Sequence, residues 1–366
     1  MFFANDLQDL LSFNPESQMV SLYIMIYPHG PQSDNTRLEI NQLLKHSALS
    51  EDNQVIQDYI KSEYDGKSRS LAVFSCLEKK YFKAIPFDLP IKNHIHTLNR
   101  PYLSPLIGYL ERYSDWGVIL VDRQGARLLT FNMGELIEQE GFMGEAVKQV
   151  KRGGGASFHG RMGGSTASSN IDNVIESNIS LIVEHVTNFI VSEKIKRIII
   201  GGSTENITLL KVALPKAWQS LLAGTIQISI TADHSEIASA AINLIDKISN
   251  ESENSLVTQA ITLAAKGDRG AIGLDDTLNA IHAGQVQTLL VAKDFSEPGF
   301  QCAGCSYLTT QEVDKCPFCG SKFSKIPNAV EFSILKAKEK NASIHMIAEN
   351  NQLLKAGGIA AIMRYS

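Results

Sequence analysis

Several things are scarce or missing in this chain of 366 residues. No apolar run reaches the roughly 18 residues that a bilayer crossing needs, and the opening "MFFANDLQDLLSF" has neither the basic region nor the small-residue cleavage site of a secretory signal. Together these absences predict a cytoplasmic protein with no membrane partner. Positive charge is short as well. With 34 Lys and Arg against 39 Asp and Glu, the net charge is -5, so bulk charge cannot coat nucleic acid and any RNA contact must come from a local patch. No G-x4-G-K-[ST] occurs, which excludes a P-loop, and no repeat or low-complexity segment interrupts the chain. Cysteine is limited to five residues. Cys76 stands alone in the apolar "LAVFSC", and the other four crowd into residues 302 to 319. That distribution favours metal ligation over a disulfide framework.

What is present describes a globular protein. A 44% hydrophobic share, a 20% charged share and a mean hydropathy of -0.05 suit two or three domains, each with its own core. "VSLYIMIYP" reads as a buried strand, "TRLEINQLLKHSAL" as a helix, and "SLAVFSC" with "KYFKAIPF" as two strands joined through "LEKK". "WGVILVD" and "ARLLTFNMG" form a second strand pair around "RQG". Further on, Ser169 or Asn170 is placed to cap a long helix carrying the stripe Ile171, Val174, Ile175, Ile179, Ile182, Val186, Phe189 and Ile190. "KRIIIGG" and "TIQISIT" then read as strands. In the last third, Leu274, Leu278 and Ile281 mark a helix that Gly284 ends, followed by the strand "VQTLLVA". Strands and helices alternating in this way predict an α/β fold with mixed or mostly parallel sheets.

Cys302, Cys305, Cys316 and Cys319 form C-x2-C, ten residues, then C-x2-C. Two residues between thiolates let both sulfurs converge on one ion, and four sulfur ligands leave no open position for water. The expected occupant is a structural Zn²⁺, with redox dithiols and an iron-sulfur site as the alternatives. His94 and His96 in "NHIHT" share a strand face but lack an evident third ligand.

The stretch "VKRGGGASFHGRMGGST" is different in kind. Gly153, Gly154 and Gly155 cannot hold a stable helical turn. From Phe142 to Ser165, the four cations Lys148, Lys151, Arg152 and Arg161 against Glu145 give a local charge of +3. Small glycines let backbone amides approach phosphates, the flanking cations attract them, and Phe158 and His159 can stack on bases. The alternative is an ordinary loop with solvated charges.

Order and spacing together resemble the archaeal and eukaryotic class-one peptide-chain release factors and Pelota, most closely the bacterial branch that includes the ribosome hibernation factor Balon. "DWGVILVDRQGARLLTF" resembles the start of that family's central domain, and "VKRGGGAS" falls where release factors carry a Gly-Gly-Gln loop. "GLDDTLNAIHAGQVQTLLV" with "AGGIAAIMRY" is similar to the third domain, and the cysteine insert to its zinc-bearing minidomain. The resemblance implies three domains at 1–112, 113–253 with the Gly-rich loop at 147–165, and 254–366 with the minidomain at 300–322. It also implies a ribosomal A-site partner, with Lys151, Arg152, Gly153, Gly154, Gly155, His159 and Arg161 meeting rRNA. A translational GTPase, in bacteria the elongation factor that delivers tRNA, is the second implied partner.

Two departures qualify the function. The residue after the paired glycines is Gly155 or Ala156, so the glutamine that positions water on the peptidyl ester is missing. Binding without hydrolysis, in hibernation or rescue, is therefore the expectation. The alternatives are an esterase using Gln149 and an RNA-binding adaptor acting off the ribosome. "YIKS" at Tyr59–Ser62 is a coincidental likeness to the family's stop-codon loop, since it sits in a helix-like run.

Overall fold

The computed structural model describes residues 3–15, 17–26, 34–139, 141–146 and 164–365. After a short helix, α1 (Phe3–Ser12), the strand β1 (Met19–Met25) is buried along nearly its whole length, the mark of a strand inside a sheet. The helices α2 (Asp34–Leu44) and α3 (Ser50–Ser62) follow, then β2 (Ser70–Cys76), β3 (Tyr81–Phe87) and β4 (His94–Leu98). The four strands lie in the order β3-β2-β1-β4, all antiparallel. Ile40, Leu44, Ile56 and Ile60 from the helices pack on Val20, Leu22, Ile24, Leu71 and Val73 of the sheet. Tyr59–Ser62 form the last turn of α3 with Ile60 buried, so "YIKS" is core-facing helix and not a loop.

Helix α4 (Ser104–Tyr113) leads to β5 (Trp116–Val121), β6 (Gly125–Asn132), β7 (Glu135–Glu138) and β8 (Phe142–Met143). The long helix α5 (Gly164–Ser192) is followed by β9 (Arg197–Gly201), α6 (Thr204–Ala213), α7 (Lys216–Gln219) and β10 (Leu222–Ile226). The sheet order is β10-β9-β5-β6-β7, with β8 also on β6. Strand β9 is parallel to β5 and β10, and the β5–β6–β7 meander is antiparallel, so the sheet is mixed. Residues Ile171–Ser192 are long and apolar enough to cross a membrane by composition. Their Ile179, Ile182, Val186, Phe189 and Ile190 are buried against Ile119, Leu128, Ile198 and Ile200 of the sheet.

Two boundaries differ from expectation. Helix α5 starts at Gly164, before Ser169 and Asn170, because extending a helix already packed through its apolar stripe costs little compared with nucleating one. Strand β10 covers Leu222–Ile226 and not 225–231. Its partner β9 ends at Gly201, opposite Ile226, so the residues beyond have no ladder to join.

Helix α8 (His234–Ala265) precedes β11 (Gly270–Ile272), α9 (Leu274–Ala283) and β12 (Val286–Ala292). Gly284 ends α9 in the left-handed conformation at φ 75°. A three-stranded insert of β13 (Gly299–Cys302), β14 (Leu308–Thr309) and β15 (Phe323–Ile326), in the order β14-β13-β15, comes before α10 (Ala329–Glu339). Then β16 (Ser343–Ile347), α11 (Asn351–Lys355) and β17 (Ile359–Met363) complete a sheet ordered β11-β17-β12-β16.

Two compact units result: Tyr113–Ile248, and Met1–Arg112 together with Ser249–Ser366. Within the second unit the N-terminal and C-terminal portions meet at α10. The fully buried Glu331 accepts hydrogen bonds from the amides of Leu103 (2.6 Å) and Ser104 (3.3 Å) and from the Ser104 hydroxyl. Burial pushes its carboxyl up to about 7, against those hydrogen bonds. Around it, Arg100 reaches Glu339 at 3.3 Å and lies 5.4 Å from the Phe332 ring centre. Gly108 leaves room for Met346, whose Cγ would stand 2.7 Å from a Cβ at that position.

Candidate functional site

Among the described residues, the one group able to hold a metal is the cysteine cluster, and two nearly identical knuckles build it. In the first, the Ser306 amide donates to Cys302 O at 3.0 Å with Ser306 at φ 58°. In the second, the Gly320 amide donates to Cys316 O at 2.9 Å with Gly320 at φ 73°. Each turn reverses on a left-handed residue directly after its second cysteine, aiming both sulfurs inward. Glycine takes that conformation freely, and Ser306 does so at a steric cost.

The knuckles interleave: Cys302 Sγ lies 3.3 Å from Cys319 Sγ, and Cys305 Sγ 3.6 Å from Cys316 Sγ. All four sulfurs fall within 4.8 Å of one another. Zn–S bonds of about 2.3 Å in a tetrahedron put sulfurs roughly 3.8 Å apart, so the cluster fits a four-coordinate ion. The separations are far above a disulfide bond of about 2.05 Å. Gly304 is needed for this closeness, since a Cβ there would sit 2.4 Å from Ser321 Oγ and 3.0 Å from Cys319 Sγ. The four thiols sit in unequal surroundings. Hydrogen bonds from the Ser321 hydroxyl and amide pull Cys319 down to about 6, while burial pushes Cys305 up to about 12. A divalent ion would offset the cost of holding all four as thiolates.

The centre is seated on α9 and α10. The Tyr307 hydroxyl donates to Asn279 Oδ1 at 2.6 Å, and Lys336 Nζ donates to Ser306 O at 2.8 Å. The exposed Phe318 ring in "CPFC" packs 4.4 Å from His282 and 4.8 Å from Tyr307, between ring centres. Burial, with Lys336 and Lys340 nearby, lowers the His282 pKa.

Lys151, Arg152, Gly153, Gly154, Gly155, His159 and Arg161 lie outside the described residues, as does Gln149. The residues leading to them are described. Strand β8 pairs with Gly125 and Ala126 at the start of β6, and the Phe142 ring packs on the core of α5, 4.8 Å from His185.

Residues 101–245 match the model described as "Bacterial archaeo-eukaryotic release factor family 10". Over 314 residues the chain is 24% identical to peptide chain release factor subunit 1 of Methanocaldococcus jannaschii, across 75% of this chain and 72% of that one. The corresponding protein of Methanococcus maripaludis is 24% identical over 315 residues, with the same coverages. The chain is thus similar to archaeal release factors along most of its length, and residues 101–245 carry the likeness to the bacterial family. Solved structures with likeness to this chain include an archaeal translation termination factor, at 17% identity and a TM-score of 0.29 over 99% of this chain and 97% of that one. S. cerevisiae Dom34 shows 11% identity and a TM-score of 0.42 over 81% and 79%. The family model covers nearly all of the central unit and none of the cysteine centre, so the case for a metal there stands on its own geometry.

His94 and His96 do share a face, within an aromatic stack. His94 lies 4.6 Å from Tyr23 and His96 3.8 Å from Tyr102. Burial holds His96 down at about 4, and the pair belongs to no described metal-ligand cluster. Sequence reasoning missed Glu331. It reads as one charge among several in "AVEFSILKAKEK", and its partners lie 227 and 228 residues away.

Proposed function

We propose that this protein is a translation factor that binds the ribosomal A site without hydrolysing peptidyl-tRNA, in hibernation or rescue. One observation carries the reading: at the segment that resembles the release factors' Gly-Gly-Gln loop, the paired glycines are followed by Gly155 or Ala156 and not by a glutamine. Without an amide side chain to orient water, the chain retains a glycine-rich, cation-flanked segment suited to RNA phosphate and lacks the group that steers the nucleophile. Lys151, Arg152, the three glycines, His159 and Arg161 make the rRNA contacts in this reading. The cysteine centre holds a structural Zn²⁺, because four soft sulfur ligands in a closed site select it. The domains divide at 112/113 and 253/254, and the third meets a translational GTPase, the elongation factor that delivers tRNA. Such a factor works in the cytoplasm.

Two measurements on purified 70S ribosomes test this. The protein should co-sediment at low salt and dissociate as salt rises, and it should leave peptidyl-tRNA intact in a release assay. Failure to sediment refutes ribosome binding, and brisk factor-dependent release refutes the non-catalytic part. The reported curated relatives are release factors, which supports a second reading as a peptidyl-tRNA esterase using Gln149. Release activity lost in Gln149→Ala would establish that one.

A further inference from the structure

Asn178 lies in the middle of α5 and is almost fully buried, with 2% exposure. A buried side-chain amide has to find partners for its donors and acceptor. This one finds them on two other segments of backbone. Asn178 Oδ1 accepts from the Glu145 amide at 3.0 Å, while Nδ2 donates to Glu145 O at 3.0 Å and to Arg123 O at 3.2 Å. Bonding both the N–H and the C=O of Glu145, the side chain treats that residue as a neighbouring strand would. One residue earlier, the Gly144 amide donates to Gln124 O at 2.8 Å. The turn on the other side is itself rigid, because Asp122 Oδ1 accepts from the Gln124 and Gly125 amides, both at 2.7 Å.

Glycine is required where these segments cross. A Cβ on Gly144 would stand 2.2 Å from Asn178 Oδ1, and one on Gly125 would stand 2.3 Å from Phe142 O. Neither approach has room for any other residue. The chain therefore reaches Glu145, two residues before the cation-flanked stretch that begins at Val147 in the order of the sequence, clamped to the sheet turn on one side and to a core helix on the other.

We propose that Asn178 is a positioning residue, which with Gly144 fixes the point and direction from which the glycine-rich segment is presented to RNA. This rests on the reading of residues 147–165 as RNA-facing. Asn178 touches no RNA in this scheme and acts only through Glu145. Asn178→Asp is the sharpest variant: it keeps the volume and the acceptor, removes both donor bonds, and turns a carboxylate oxygen toward two carbonyls.

The experiment uses the full-length protein in two arms. Hydrogen exchange on the free protein reads the amides of Gly144 and Glu145. Photocrosslinking to 70S ribosomes, from a photoreactive phenylalanine analogue at position 158, reads where the segment points. In Asn178→Asp, exchange protection at those amides should fall by about tenfold or more, as expected for losing two net hydrogen bonds, and the rRNA crosslinks should scatter or disappear. Gly144→Ala should do the same from the opposite side. Ile182→Val trims the same helix one turn further on, leaves the clamp intact, and should keep the wild-type crosslinks despite a similar loss of stability. Unchanged protection and crosslinks in Asn178→Asp would overturn the proposal, as would equal scatter in Ile182→Val. If the wild type neither sediments with ribosomes nor crosslinks, the RNA-facing reading fails and presentation to RNA fails with it, while the exchange arm still decides whether Asn178 clamps the segment.

Discussion

The cysteine insert has only a small apolar core of its own, Cys302, Tyr307 and Cys316 with Cys305 and Phe323 alongside. Its Leu308 and Ile326 are buried instead against Leu278 and Phe332 of the helices beneath it. The central unit buries a continuous set from Ile119 through Ile182, Val186 and Phe189 to Leu214. A piece of chain as small as the insert cannot offset its backbone entropy through apolar burial. It holds its shape largely through sulfurs converging on one point, whereas the central unit is held by a packed sheet and helix. The two regions should therefore fail under different insults.

With Zn²⁺ at the cysteine centre as proposed, its removal should produce the largest effect. Structural zinc in small domains contributes on the order of 10 kcal/mol to folding. A strong chelator, or Cys316→Ser, should thus abolish metal binding and exchange protection across Gly299–Ile326. The thermal transition of the central unit should stay where it was, and a shift in that transition would show that the regions are not independent. Ile182→Ala runs the comparison the other way. Ile182 has no solvent exposure, and its truncation should cost the central unit about 2–5 kcal/mol in a denaturant titration. Metal stoichiometry should not change.

Legibility from the sequence followed the same division. The cysteine centre could be read because its ligands sit two residues apart and their chemistry needs no distant partner. The α5 stripe and the Gly284 cap were readable for a similar reason, since periodicity and a left-handed terminus are local properties. Where the outcome depended on a remote partner, the sequence was silent or misleading. Strand β10 stops at Ile226 because β9 stops at Gly201, not because of anything in "TIQISIT". Asn178 looks like one more polar residue on a helix face until Glu145 and Arg123 are seen against it. Glu331 looks like surface charge until Leu103 and Ser104 close over it.

That buried carboxylate gives the smallest and most diagnostic effect. The folded pKa of Glu331 is raised from its ordinary 4.5 to about 7, so between those values the folded state holds a proton that the unfolded state has released. Its contribution is fully present below pH 4.5 and is lost as pH rises through about 7, with a slope no steeper than about 1.4 kcal/mol per pH unit, the limit for one proton. His96 runs in the opposite sense. Held down at about 4 from its ordinary 6.5, it contributes above pH 6.5, and that contribution is lost as pH falls through 4. The two slopes oppose each other in the wild type between pH 4.5 and 6.5, which hides both. In Glu331→Gln the carbonyl oxygen can still accept from the Leu103 and Ser104 amides, while the side-chain amide donates to the Ser104 hydroxyl. No titrating proton remains there. The stability of the wild type minus that of Glu331→Gln, measured by denaturant titration from pH 4 to 8, should fall with pH and flatten above about 8. A flat difference throughout would mean that the Glu331 carboxyl titrates at its ordinary value despite its burial.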